Sequence, residues 1–168
     1  MKIYFKTYLP HALVAAVLYL IPVLFFILND NYTDAYVLYI GNVLFAAGIL
    51  FAARRYNRNR GENAQPMNTL ASGIGTTLMG IVVAFFLLFL IVAIDIPHLF
   101  RSAGAGKRMT EAPANVIKDS TNGLKFMLFM NDLIGNFMAG AFVTVFYIFT
   151  AKRDQTGQTS QKRQHEAV

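Results

Sequence analysis

Residues 63–94 read NAQPMNTLASGIGTTLMGIVVAFFLLFLIVAI, and no Asp, Glu, Lys or Arg interrupts them. A helix needs about 20 apolar residues, at about 1.5 Å each, to cross the roughly 30 Å hydrocarbon core of a bilayer. This run exceeds that length. Three more charge-free stretches, 7–29, 35–53 and 133–151, contain 23, 19 and 19 residues. The 168-residue chain is 55% hydrophobic and only 14% charged, against about 45–50% and about 25% in soluble globular chains. Together these features exclude a soluble domain, a disordered chain and a collagen-like one. They predict an all-α integral membrane protein with four transmembrane helices in an antiparallel bundle.

The predicted spans are 9–28, 35–53, 70–94 and 127–151, within a transmembrane domain covering 1–151. Lys2 and Lys6 precede the first apolar run, as they would in a secretory signal. That run is too long for an h-region, and Asn29–Asp34 offers no small-residue cleavage site, so an uncleaved helix is expected. Pro10 falls in its opening turn, where a missing N–H costs nothing, and Pro22 should bend it. The polar turn 29–34 is short enough to force spans one and two into a hairpin. Span three, with 25 residues, reaches about 37 Å and should tilt or protrude. The long connection 96–123 contains a flexible Ser-Ala-Gly-Ala-Gly segment and a short candidate surface helix, Pro113–Ser120. The tail 152–168, rich in Gln, Lys and Arg, lacks apolar periodicity and is expected to be disordered, basic and cytoplasmic.

The orientation follows from charge. With a cytoplasmic N-terminus, segments 1–8, 54–69 and 151–168 carry ten basic and three acidic residues, a net +7, and the remainder of the chain carries −1. Basic residues near span ends set topology, so N-in, C-in is predicted, and the overall +6 requires no nucleic-acid partner. Arg54, Arg55, Arg58 and Arg60 suffice as a topology determinant, although such a cluster can also attract anionic lipid.

Polar residues inside the spans are where chemistry could reside. Span four carries Asp132, Asn136, Gly140 and Thr144 at four-residue spacing, with Asn131, Gly135 and Ala139 in the adjoining row. Groups of this kind avoid lipid and should face the bundle or a wet cavity. The candidate polar intramembrane or partner-contact face is therefore Asn42, Asn131, Asp132, Asn136 and Thr144. Three readings of Asp132 stay open: a site, an interhelical hydrogen bond, or a solvated charge at the outer interface. Asn42 is the expected cross-helix partner of Asn136, because both belong at mid-depth. In span three Ser72, Thr76, Gly80 and Ala84, with Gly73 and Thr77 beside them, form a seam of small residues. Such a seam allows close backbone approach and hydroxyl bonds across the gap.

Asp95 and His98 would be i, i+3 neighbours, but Pro97 intervenes and no third metal ligand is near. His11 reads as an end-of-helix histidine. Cysteine is absent, and there is no zinc-protease motif, nucleophile elbow, phosphate-binding loop or dinucleotide fingerprint. Neither a cofactor nor an enzymatic activity is expected.

The second-span ending Ile49-Leu50-Phe51-Ala52-Ala53-Arg54-Arg55-Tyr56 leads through a polar linker into Thr69-Leu70-Ala71-Ser72-Gly73. With the long third loop and the fourth span bearing Asp, Asn and Gly, this layout resembles small four-span membrane proteins of unknown function found mainly in Bacteroidetes. The resemblance implies a bacterial inner-membrane location and no catalytic residues. The expected role is a structural or accessory subunit surrounded by lipid, with a second copy or other membrane subunits as partners. The alternative is a small transporter or channel component whose path is lined by the polar face of span four.

Overall fold

The computed structural model describes residues 5–28, 35–60, 65–93 and 120–166, all but the flanking Ala35 and Gln65 in helices. Helix α1 is Phe5–Leu28, α2 is Tyr36–Arg60, and α3 is Pro66–Ala93. The fourth spanning helix has three parts: α4 (Ser120–Met130), a π-helical turn (Asn131–Gly135) and α5 (Asn136–Glu166). Four stretches are long and apolar enough to cross a membrane: Tyr8–Leu28, Tyr36–Asn59, Pro66–Ala93 and Lys125–Ala151. They coincide with the four predicted spans. The turn 29–34, the pair Asp95 and His98, and residues 113–119 of the candidate surface helix lie outside the described residues.

Two helix ends differ from expectation. α2 continues seven residues past Ala53 to Arg60, so the arginine cluster is helical, with Arg54, Arg55 and Arg58 exposed. α5 continues to Glu166, where a disordered tail was predicted. Nucleation is the costly step in helix formation, and a spanning helix supplies the nucleus for the next turns. Residues 152–166 contain no proline to stop it and several good helix formers (Lys, Arg, Gln, Glu) to extend it.

Burial is distributed as lipid requires. Large apolar side chains such as Phe25, Val43, Phe86, Phe142 and Phe149 point outward, while Asn42, Thr69, Ser72, Thr76, Thr77, Asp132, Asn136 and Thr144 are buried. In water such an apolar surface would drive aggregation. Against acyl chains it is neutral, and van der Waals fit between helices has to hold the bundle together.

That fit comes from small residues. α1 packs on α2 and α3, and α5 packs on the same two helices. Gly48 lies so close to Ala15 that an added Cβ would sit 2.9 Å from the Ala15 Cα. Gly41 faces the Tyr19 ring and carbonyl, and Gly80 faces the Phe45 ring. The Tyr19 and Phe45 rings meet edge to face, with centroids 6.4 Å apart, a favoured geometry worth about 0.5–1.5 kcal/mol beyond area burial. The small-residue seam of span three is the buried face of α3: Ser72, Gly73, Thr76, Thr77, Gly80 and Ala84 all turn inward.

Two hydroxyls of that seam bond within their own helix and not across the gap that the sequence allowed. Thr76 Oγ1 donates to the Ser72 carbonyl at 2.8 Å, and Thr77 Oγ1 donates to the Gly73 carbonyl at 2.9 Å. Each satisfies itself one turn back on its own helix.

Candidate functional site

The polar residues of span four fall into two groups at different levels along the helix. The one nearer the C-terminal end of the span begins with Thr144. Its hydroxyl donates to the Gly140 carbonyl at 2.7 Å, and its side chain occupies the space where a Gly73 side chain would otherwise be. Thr77 repeats the arrangement in reverse. It bonds the Gly73 carbonyl and fills the space above Gly140, where an added Cβ would lie 2.5 Å from the Thr77 Cγ2. Each helix thus contributes one glycine and one threonine to a reciprocal clasp. Thr144 belongs to this clasp and not to the hydrogen-bonded cluster.

The second group surrounds the π-turn. Asn42 of α2 and Asn131 pair through their amides in both directions: Asn42 Nδ2 donates to Asn131 Oδ1 at 3.0 Å, and Asn131 Nδ2 donates to Asn42 Oδ1 at 3.3 Å. The second hydrogen of Asn131 Nδ2 goes to the Tyr19 hydroxyl of α1 at 3.2 Å. Three spanning segments are joined by this one network. Gly135 makes room for it, since an added Cβ would lie 2.6 Å from Asn42 Nδ2.

Asn136 therefore does not bond Asn42, contrary to the sequence reading. Its Nδ2 donates to Asp132 Oδ1 at 2.7 Å, one turn back along the same helix. Both residues are wholly inaccessible, with 0% exposure. Among the described residues two buried side-chain polar atoms have no hydrogen-bond partner, Asp132 Oδ2 and Asn136 Oδ1, and they belong to this one pair. An orphaned buried acceptor costs about 1–3 kcal/mol, and more when charged. Two at one place, on facing residues, mark a place with unused hydrogen-bonding capacity.

All five candidate residues turn into the bundle: Asn42, Asp132, Asn136 and Thr144 are buried and Asn131 is half-buried. What the sequence reading missed is Tyr19 and the π-turn. Turns of this kind are rare in helices and frequent at functional positions. Tyr19 lies among apolar neighbours in α1, and only its phenol, which normally seeks a partner when buried, could have signalled a role. At the other end of the bundle Asn57 Nδ2 donates to the Tyr147 hydroxyl at 3.2 Å, tying α2 to α5. The chemistry available around the π-turn is hydrogen bonding by amides, a phenol and a carboxyl.

No protein-family model, curated protein or solved structure matches the chain.

Proposed function

We propose that the chain is a non-enzymatic integral membrane protein serving as a structural or accessory subunit of a membrane assembly, in the inner membrane of a bacterium. The observation that carries this reading is the clasp of Gly73, Thr77, Gly140 and Thr144. It fills the interior between α3 and α5 with backbone-close contacts, which suits a packed scaffold. The outward apolar side chains of all four spanning segments suit a lipid annulus, a second copy or another membrane subunit. Purification in mild detergent should return the chain in a complex larger than the monomer. A strictly monomeric, unaccompanied chain from native membranes would refute the subunit reading.

Both termini are cytoplasmic in this proposal, and the spans alternate in direction. The charge asymmetry supports the orientation. The pairing of Tyr19 with Gly41 and of Ala15 with Gly48 supports an antiparallel first hairpin, and Gly73 with Thr144 beside Thr77 with Gly140 supports an antiparallel second one. A chain without cysteine lets single thiols report topology. In intact cells Asn59→Cys and Ser160→Cys should be shielded from an impermeant thiol reagent, and Ala105→Cys should react. Reaction at 59 with protection at 105 would reverse the orientation.

One observation favours a second reading, a small transporter or channel component. The unpartnered oxygens of Asp132 and Asn136 are buried in the fourth spanning helix, where a path lined by polar groups would run. Four helices enclose little interior, so such a path would need an oligomer. Ion flux through vesicles containing the purified chain, abolished by Asp132→Asn, would move this reading into first place.

A further inference from the structure

We propose that Asp132 and Asn136 form a proton-binding site within the fourth spanning helix, the carboxyl carrying a proton on Oδ2 and donating it to Oδ1 of Asn136. This inference is independent of whether the chain acts as a subunit or as a transporter.

A carboxylic acid and a primary amide are complementary hydrogen-bonding groups. A carboxylic acid presents one donor and one acceptor side by side, and so does a primary amide. Facing each other, they close a ring with two hydrogen bonds. One half of that ring is present: Asn136 Nδ2 donates to Asp132 Oδ1 at 2.7 Å. The other half consists of the two atoms left over, Asp132 Oδ2 and Asn136 Oδ1. Both are acceptors and cannot bond each other without a hydrogen between them. A proton on Oδ2, donated to Asn136 Oδ1, would satisfy both at once. Exchanging the N and O of the Asn136 amide leaves the count unchanged, because a carboxylate has only acceptors and the amide still offers one.

Among the described residues, Asn136 is the hydrogen-bond partner of the Asp132 carboxyl. α3 has no titratable side chain over its whole length, and α2 has none between Ile40 and Ala53. From α1 the titratable group at this level is Tyr19, whose hydroxyl accepts from Asn131. On the same helix Lys125 lies two turns earlier, and Asp132 itself is wholly buried. A lone ionised carboxylate in such a place is expensive, and uptake of a proton from water removes both the charge and the two orphaned acceptors.

The test is infrared difference spectroscopy of the full chain in lipid nanodiscs at neutral pH, where exposed carboxyls are ionised. The wild type should show a carboxylic-acid C=O stretch that moves down in D2O and on 13C-carboxyl labelling of aspartate. Asp132→Asn should lack the band and keep wild-type stability, because its Nδ2–H takes the place of the Oδ2–H. In Asn136→Leu the band should persist at higher frequency, since its carbonyl has lost the amide donor. A labelled wild type with only carboxylate bands at neutral pH would overturn the proposal. So would a carboxylate band at Asp132 that responds to added sodium or potassium, which would identify a metal-cation site. Should Asp132→Asn fail to fold, the upward shift of the labelled band in Asn136→Leu assigns it to Asp132, and a labelled band that does not move in Asn136→Leu overturns the proposal.

Discussion

Gly140→Ala is the smallest change that tests the clasp between α3 and α5. The new Cβ would stand 2.5 Å from the Thr77 Cγ2, 2.6 Å from its Oγ1 and 3.1 Å from its Cβ. Carbon atoms attract best at about 3.5–4.0 Å, so the two backbones must part by roughly 1 Å, or Thr77 must leave its rotamer and its bond to the Gly73 carbonyl. Overpacking of this kind costs about 1–3 kcal/mol. Alanine is better than glycine in a helix by about 0.8–1.0 kcal/mol, which offsets part of the loss. The expected net effect is a destabilisation of about 1 kcal/mol.

A second substitution makes the argument sharper. Thr77→Ala removes Cγ2 and Oγ1 together, and because that hydroxyl bonds within its own helix no donor elsewhere is orphaned. In the combined variant the nearest clash is gone, and Gly140→Ala should become neutral or stabilising. The interaction energy across the cycle should be at least 1 kcal/mol and favourable, within the range of about 0.5–3 kcal/mol found for touching residues. Unfolding in mixed micelles, followed by far-ultraviolet circular dichroism because the chain has no tryptophan, measures all four variants. Gly140→Ala that stabilises the wild-type background, with no coupling to Thr77, would show that the helices are not so close. The scaffold reading would fall with it.

The amide network makes two further predictions. Asn42→Leu and Asn131→Leu should each cost about 0.6–1.7 kcal/mol, the scale of interhelical hydrogen bonds in membranes. The double variant should cost less than the two added together, since neither amide is then left alone; strict additivity in the same micelle assay would break the pairing. Gly135→Ala should resemble the Asn42 variant, because its Cβ would displace the Asn42 amide, and an unchanged stability would place Asn42 elsewhere.

The spans were legible because charge is so costly in hydrocarbon that its absence over 19 residues or more carries the information directly. The buried face of α3 was legible for a similar reason. Ser72, Thr76, Gly80 and Ala84 recur at the helical period, and a stripe of small residues has little reason to face lipid. Periodicity indicates which side of a helix is covered but not what covers it, and there the reading failed. It matched Asn42 to Asn136 by depth, treating span four as a uniform helix. The π-turn at Asn131–Gly135 breaks that uniformity, because a wider turn rotates the side chains on its two sides relative to each other. Asn131 meets α2, and Asn136 closes back on Asp132. No composition rule announces a π-turn, so this irregular turn is also where the sequence misassigned a partner.

The hydroxyls carry the same lesson at the other end of the helix. Thr77 and Thr144 could in principle bond across the interface or to their own backbone, and the sequence is identical in both cases. The inward bond is the general habit of threonine in these helices, made also by Thr76 and by the exposed Thr150. Gly73 and Gly140 let the threonine side chains approach so closely that methyl and hydroxyl together fill the gap, while each hydroxyl donates to the carbonyl four residues earlier. Close approach and internal hydrogen bonding are thus separable: the glycines make the room, and the hydroxyl is satisfied within its own helix whatever stands opposite. A larger residue at Gly140 should therefore cost stability through its contact with Thr77, while a threonine that keeps its rotamer keeps its bond to the Gly73 carbonyl.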